Sequence, residues 1–258
     1  MKNALLYTVN NNKPYVDKTI NSIDSFFHFN PELKESVEVV VIVDDKSIDM
    51  RGLASGVKCT LVDKMVFDYS ALEYANRRAP LPTMYRLEAF ANPIFDDFDV
   101  LLSLDGDTEF RKPCPELFQE PVEPIVGLVP ERKSEMEWHM NEIGGAMTYT
   151  NYFNMGFMLL TPKLIGRHMR IEMFLKLLSL VNRFPQFHLP DQDSISLTVT
   201  QEPYCKMLKL YDTIYNYHEY AFNNEQVDLN DVVMRHYVCG KEYDLKYISE
   251  EECGGEPR

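Results

Sequence analysis

Residues 101–110 read LLSLDGDTEF: an apolar run, Leu101 to Leu104, delivers Asp105 and Asp107 at its carboxyl end. Residues i and i+2 of an extended chain lie on one face, so both carboxylates point at one spot. Two carboxylates held together repel unless a cation lies between them, and hard oxygen ligands favour Mg or Mn. The pair fills only part of an octahedral shell and leaves positions for a substrate diphosphate. In open α/β sheets, ligands bind beyond the carboxyl ends of the strands, which is where this pair falls. Two acidic residues after a strand also serve as a plain turn.

The segments around this motif alternate between strand and helix. Phe98 to Leu104 (FDVLLSL) reads as a strand, and Tyr85 to Phe95 before it as a helix. Ala4 to Val9 (ALLYTV) is a buried strand running into the turn formers Asn10, Asn11, Asn12, Lys13 and Pro14. Val16, Ile20, Ile23, Phe26 and Phe27 then recur at helical spacing up to Pro31. Val37 to Val43 (VEVVVIV) is β-branched and nearly continuous, the pattern of a strand covered on both faces. Strand, helix, strand in this order implies a parallel crossover, right-handed by the general rule. Downstream, Ile125 to Val129 and Phe157 to Leu160 are further apolar runs, and Leu164 to Val181 is patterned as one amphipathic helix. No repeat or linker divides the chain. The expected organisation is one α/β domain over residues 1–248, followed by an acidic, loose tail over 249–258 (SEEECGGEPR).

At 258 residues the chain is long enough for a substantial core. Its 26 Lys and Arg stand against 40 Asp and Glu, a net charge of −14, which disfavours nucleic acid or an anionic membrane surface as the main partner. The five cysteines are scattered and never form a Cys-x-x-Cys pair, so a disulfide framework and a cysteine zinc site are not signalled. With no apolar run approaching the ~20 residues of a membrane span, and no signal-peptide core, the expectation is a cytoplasmic protein without a membrane span.

Three further clusters carry chemistry-bearing residues. Residues 189–194 (LPDQDS) place Asp191, Gln192 and Asp193 ahead of a helix; 152–160 (YFNMGFMLL) place Asn154 and Gly156 just before an apolar strand; 235–241 (RHYVCGK) put His236 near Gly240 and Lys241. Taken singly, each has a plain structural role as helix cap, turn or core histidine. Taken in order with the Asp-x-Asp strand and the Asn-rich first loop, they resemble the retaining nucleotide-sugar transferases of glycosyltransferase family 8. The segment LPTMYRLEAF (81–90) is similar to that family's Tyr-x-Arg-Leu stretch, and the resemblance runs from about Ala4 to Lys241. It implies a GT-A fold: a Rossmann-like mixed sheet with helices on both faces, in a single domain.

The resemblance also implies a site. Asp105, Asp107 and His236 would hold a divalent metal, Mn or Mg, on the diphosphate of a UDP-sugar donor. Thr8, Asn10 and Asn12 would cradle the uridine, while Arg86, Asn154, Asp191 and Gln192 would line the donor sugar. Gly106, Gly156, Gly240 and Lys241 complete the implied donor-binding set, with Lys241 or Lys246 neutralising the diphosphate. Gln192 and Asp191 are the implied catalytic residues, Gln192 lying against the anomeric carbon opposite the leaving group. A neutral amide is a poor nucleophile, which favours front-face attack by an acceptor hydroxyl and retention of configuration. The acceptor class, whether glycan, protein or small molecule, is open.

The chain departs from the family pattern in two places. Asn10 and Asn11 stand where the family usually has an aspartate. The late His-x-x-Gly-x-x-Lys-Pro-Trp motif appears with Gly240 one place late, Lys241 directly after it and no Pro-Trp. Trp138, the one tryptophan, lies in a polar stretch that suits either an acceptor loop or an anchor on the core. A sugar nucleotidyltransferase is the main alternative, but its glycine-rich phosphate loop is missing from Asn10 to Pro14; a non-catalytic nucleotide-sugar-binding protein is the other. A two-metal phosphohydrolase would need more His and Asp ligands.

Overall fold

A computed structural model describes residues 1–45, 47–50, 52–53, 56–72, 81–131, 152–187, 189–218 and 227–237. Strand β1 (Asn3–Val9) is buried along its whole length, and helix α1 (Lys13–Phe29) carries the chain to β2 (Val37–Val43), which pairs with β1 in parallel. Side-chain alternation along these strands feeds two separate cores. Ala4, Leu6, Val40 and Ile42 face one layer; Leu5, Tyr7, Val39 and Val41 face the other, against Ile23, Phe26 and Phe27 of α1. A strand covered on both sides has no use for a polar face, which is why VEVVVIV reads as nearly continuous.

β3 (Cys59–Val62) extends the sheet beyond β2, and β4 (Val100–Leu104) pairs in parallel with β1 on its other side. The order is completed by β7 (Phe153–Leu160), β6 (Val126–Pro130) and β8 (Leu208–Leu210), giving β3-β2-β1-β4-β7-β6-β8. Only β7 runs against its neighbours, so the seven-stranded sheet is mainly parallel and the mixed α/β architecture is as expected. The face opposite α1 is covered by the short α2 (Glu88–Ala91), by α4 (Arg167–Arg183) and by α5 (Pro190–Val199). A separate two-stranded ribbon pairs β5 (Thr108–Phe110) with β9 (Met234–His236).

Three local expectations need correcting. The helix expected over 85–95 is a 3₁₀ segment, Leu81–Leu87, then α2, then a second 3₁₀ turn, Pro93–Phe95. Pro93 pushes Asn92 into an extended conformation (ψ 125°), and the Asn92 side chain accepts from the Ile94 amide to start the next turn. The helix expected over 164–181 is likewise split. α3 (Pro162–Ile165) stops at Gly166, whose φ of 79° is open to glycine and costly for other residues, and α4 begins immediately afterwards. Finally, Asn154 and Gly156 do not precede β7 but lie inside it. The β6–β7 register shifts between Leu128, opposite Met158, and Val129, opposite Asn154, so β7 bulges there. The Gly156 amide donates to the Asn154 side chain (2.8 Å), and the bulged backbone keeps a partner.

Among the described residues no helix is long and apolar enough to cross a membrane. Cys59, Cys114 and Cys205 are free thiols.

Candidate active site

The parallel pairing of β1 with β4 sets their carboxyl ends at one edge of the sheet, where β4 runs into Asp105, Gly106 and Asp107. The turn is fixed from below by a line of hydroxyls. Tyr7 contacts Ser22 (2.9 Å), Ser22 contacts Thr108 (2.7 Å), and Thr108 donates to the Asp105 carbonyl (2.9 Å). Gly106 sits hard against α1: its amide donates to the Tyr15 hydroxyl (3.3 Å), and a Cβ there would come closer than 3.0 Å to the Thr19 hydroxyl. Thr19 is itself tied to the Tyr15 carbonyl (3.0 Å) and has little room to yield. Gly106→Ala is therefore expected to cost about 1–3 kcal/mol by overpacking, read as a lower urea midpoint at unchanged slope.

The ribbon brings in the third group. Antiparallel pairing sets His236 opposite Thr108, one residue beyond Asp107, and the Tyr237 amide donates to the Asp107 carbonyl (2.9 Å). His236 Nε2 then lies 3.4 Å from Asp105 and 3.3 Å from Asp107. Ligand atoms of Asp105, Asp107 and His236 all fall within 4.8 Å of one another, the one convergence of three such side chains found among the described residues. Burial would lower the His236 pKa, but its bonds to the two aspartates outweigh that and raise it to about 10.

Donor chemistry and space both fit a divalent cation. Two carboxylate oxygens and one imidazole nitrogen are ligands that a divalent cation takes. A Cβ at Gly156 would come closer than 3.0 Å to the His236 ring, so the glycine makes the space the histidine occupies.

Arg86, 2% exposed, forms the floor. Its guanidinium pairs with Asp105 and, through Nε, with Asp191 (3.0 Å), and it donates to the carbonyls of Met155 and Thr83. Burial opposes the charge on Arg86, yet the two aspartates hold its pKa above the usual guanidinium range. Burial also pushes Asp105 up, but Arg86 and His236 prevail and hold it well below the usual carboxylate range. For Asp191, 4% exposed, burial outweighs Arg86 and raises the pKa.

Asp191, Gln192 and Asp193 lie in the first turn of α5, not ahead of it. Asp193 holds the helix start by accepting from the Leu189 amide (3.2 Å) and the Tyr152 hydroxyl (2.7 Å). The Gln192 side-chain oxygen accepts from the Met155 amide (3.2 Å) in the β7 bulge. Thr8 is buried near the end of β1; Asn10 and Asn12 follow in the loop, where Asn12 begins α1 without a side-chain cap. Gly240, Lys241, Lys246, Trp138 and the 249–258 tail lie outside the described residues.

Sequence reasoning missed the groups behind His236. Glu131, Asn216 and His218 are 7%, 1% and 3% exposed. Glu131 pairs with His218 (3.0 Å) and accepts from Asn154 (2.7 Å), and Asn216 joins Asn154 (2.8 Å) to His236 Nδ1 (3.1 Å). Burial would raise the Glu131 pKa; His218 and Asn154 lower it. The signal available was polar Asn216 and His218 among aromatics in TIYNYH (213–218).

The sequence model of the family described as Glycosyl transferase family 8 matches residues 6–242. The chain belongs to glycosyl transferase family 8. Solved structures agree on the fold. The galactosyltransferase LgtC, in complex with donor and acceptor sugar analogs, superposes with a TM-score of 0.66 at 19% identity, covering 92% of this chain and 87% of that one. Mouse xyloside xylosyltransferase 1 gives 0.58 at 15% identity, covering 92% and 98%. The glycosyltransferase GlyE of Streptococcus pneumoniae TIGR4 gives 0.60 at 15%, covering 92% and 55%. No curated protein matches the chain by sequence. As a family 8 member with a GT-A fold, the protein is a glycosyltransferase, and nucleotide-sugar chemistry comes with the family.

Proposed function

We propose that this family 8 enzyme transfers a hexose from a UDP-sugar to an acceptor hydroxyl, with a divalent cation, Mn or Mg, and with retention of anomeric configuration. The observation that carries the reading is the convergence of Asp105, Asp107 and His236 at the carboxyl edge of the sheet, with buried Arg86 behind them. Asp105, Asp107 and His236 would hold the cation, which when bound supplies positive charge to the departing diphosphate. Arg86 keeps Asp105 ionised and oriented. Asp191 offers a buried carboxylate for a sugar hydroxyl, and Thr8, Asn10 and Asn12 line the path assigned to the nucleoside. Gln192 is neutral, and its oxygen is already engaged by the Met155 amide, so it orients and contacts the sugar without forming a covalent intermediate. The acceptor hydroxyl then attacks from the leaving-group side, which retains configuration.

The test is incubation with a panel of nucleotide sugars and Mn or Mg, with and without EDTA. The expected result is metal-dependent release of UDP by transfer or slow donor hydrolysis. Formation of UTP on adding pyrophosphate would instead mark a nucleotidyltransferase, and nucleotide-sugar binding without turnover would mark a binder. A product anomer inverted relative to the donor overturns retention.

A further inference from the structure

We propose that Asn216 is a positioning residue that, through a one-way hydrogen-bond relay, holds His236 with Nδ1 protonated and bonded, so that Nε2 is the ring nitrogen turned to the cation site of Asp105 and Asp107. The inference deepens the cation site and rests on that reading.

The polarity of the relay follows from its two ends, whichever way the amides are drawn. The Gly156 backbone N–H can only donate, and it meets Asn154 Oδ1 (2.8 Å). Asn154 Nδ2 must then be the atom facing the Glu131 carboxylate (2.7 Å), which accepts. Turning the Asn154 amide over would set N–H against N–H at one end and oxygen against carboxylate at the other. Asn154 Oδ1 is an acceptor, so the Asn216 atom that meets it (2.8 Å) is the donor Nδ2. Asn216 Oδ1 therefore faces His236 Nδ1 (3.1 Å), and that nitrogen must carry the proton. Nε2 is then the nitrogen turned to the cluster, 3.4 and 3.3 Å from the Asp105 and Asp107 carboxylates, and its lone pair is open to a cation that displaces its proton.

Without such an anchor a neutral imidazole distributes over both tautomers, and one of them presents N–H, not a lone pair, to the cation site. Burial makes the constraint effective, since Asn154, Asn216 and His236 are 8%, 1% and 5% exposed. Gly156 leaves room for the relay: a Cβ there would lie 2.8 Å from Asn216 Oδ1.

Two substitutions at one position separate positioning from plain packing. Asn216→Asp keeps an acceptor for Nδ1–H but sets it against Asn154 Oδ1, so the protein should lose stability while holding Mn2+ affinity within about threefold. Asn216→Leu removes the acceptor, and Mn2+ affinity, measured by electron paramagnetic resonance without donor, should fall about 10- to 100-fold. In the metal-free protein labelled with 15N-histidine, the His236 ring N–H resonances are identified by their loss in His236→Gln. The Nδ1–H proton should be visible and protected from exchange with water in the wild type and in Asn216→Asp, and exchange freely in Asn216→Leu. An unprotected Nδ1–H in the wild type, unchanged protection in Asn216→Leu, or equal affinity losses in both variants overturns the inference. Failure of the wild type to bind Mn2+ while its protected Nδ1–H stands overturns the cation reading instead.

Discussion

Asp107→Ala is expected to reduce metal-dependent UDP release at least a hundredfold while leaving the unfolding temperature within a few degrees of the wild type. Asp107 reaches the cluster from the turn after β4, is 18% exposed at its side chain, and is not held by the buried guanidinium as Asp105 is. Its removal therefore subtracts a ligand, and buried His236 keeps Asp105 as its partner. The lost interaction is a large one. Opposite unit charges at 4 Å are worth roughly 4 kcal/mol at an effective dielectric of 20, and loss of a single charge-stabilising group at a reacting centre typically costs about 10²–10³ in rate. The check is UDP release at saturating Mn with a melting curve on the same sample. Release within tenfold of the wild type would remove Asp107 from the ligand set.

Arg86→Met should fail differently, losing about 3–5 kcal/mol of stability along with activity. Arg86 is 2% exposed and serves four acceptors: two carboxylates and the carbonyls of Met155 and Thr83. Methionine fills much of the volume but leaves Asp105 and Asp191 facing each other without the cation between them, and breaking one partner out of a buried charged group is far costlier than replacing the whole group. Urea denaturation measures the loss. Adding Asp105→Asn and Asp191→Asn to Arg86→Met should restore part of the stability but none of the activity. A destabilisation below about 1 kcal/mol for Arg86→Met alone would mean that water or rearrangement satisfies the two carboxylates.

What the sequence made legible was whatever a single segment encodes. The βαβ unit could be read because β1 and β2 are buried on both faces and say so in nearly continuous apolar letters. The acidic pair could be read because an apolar strand ends in it abruptly. The Asn92–Pro93 break and the Gly166 break were written in the sequence but were overruled by the apolar spacing around them. Asn154 and Gly156 looked like a turn because a bulged strand uses the same residues, and only the pairing with β6 distinguishes the two. The relay behind His236 was not legible, because Glu131, Asn216 and His236 come from separate segments joined only by topology. Resemblance to the family named His236, but pairing of β9 with β5 is what carries it to Asp107.

That ribbon has a thermodynamic consequence. β9 is three residues long, and its partner β5 is equally short, so strand pairing alone gives the late segment a modest hold on the sheet edge. A cation shared by Asp105, Asp107 and His236 would close a loop spanning much of the chain, acting as a reversible cross-link whose benefit comes from restricting the unfolded ensemble. Loading the enzyme should thus slow hydrogen exchange at the amides of Met234–His236 more than in β1 or β2. Donor occupancy would be felt as local rigidity in the last described strand.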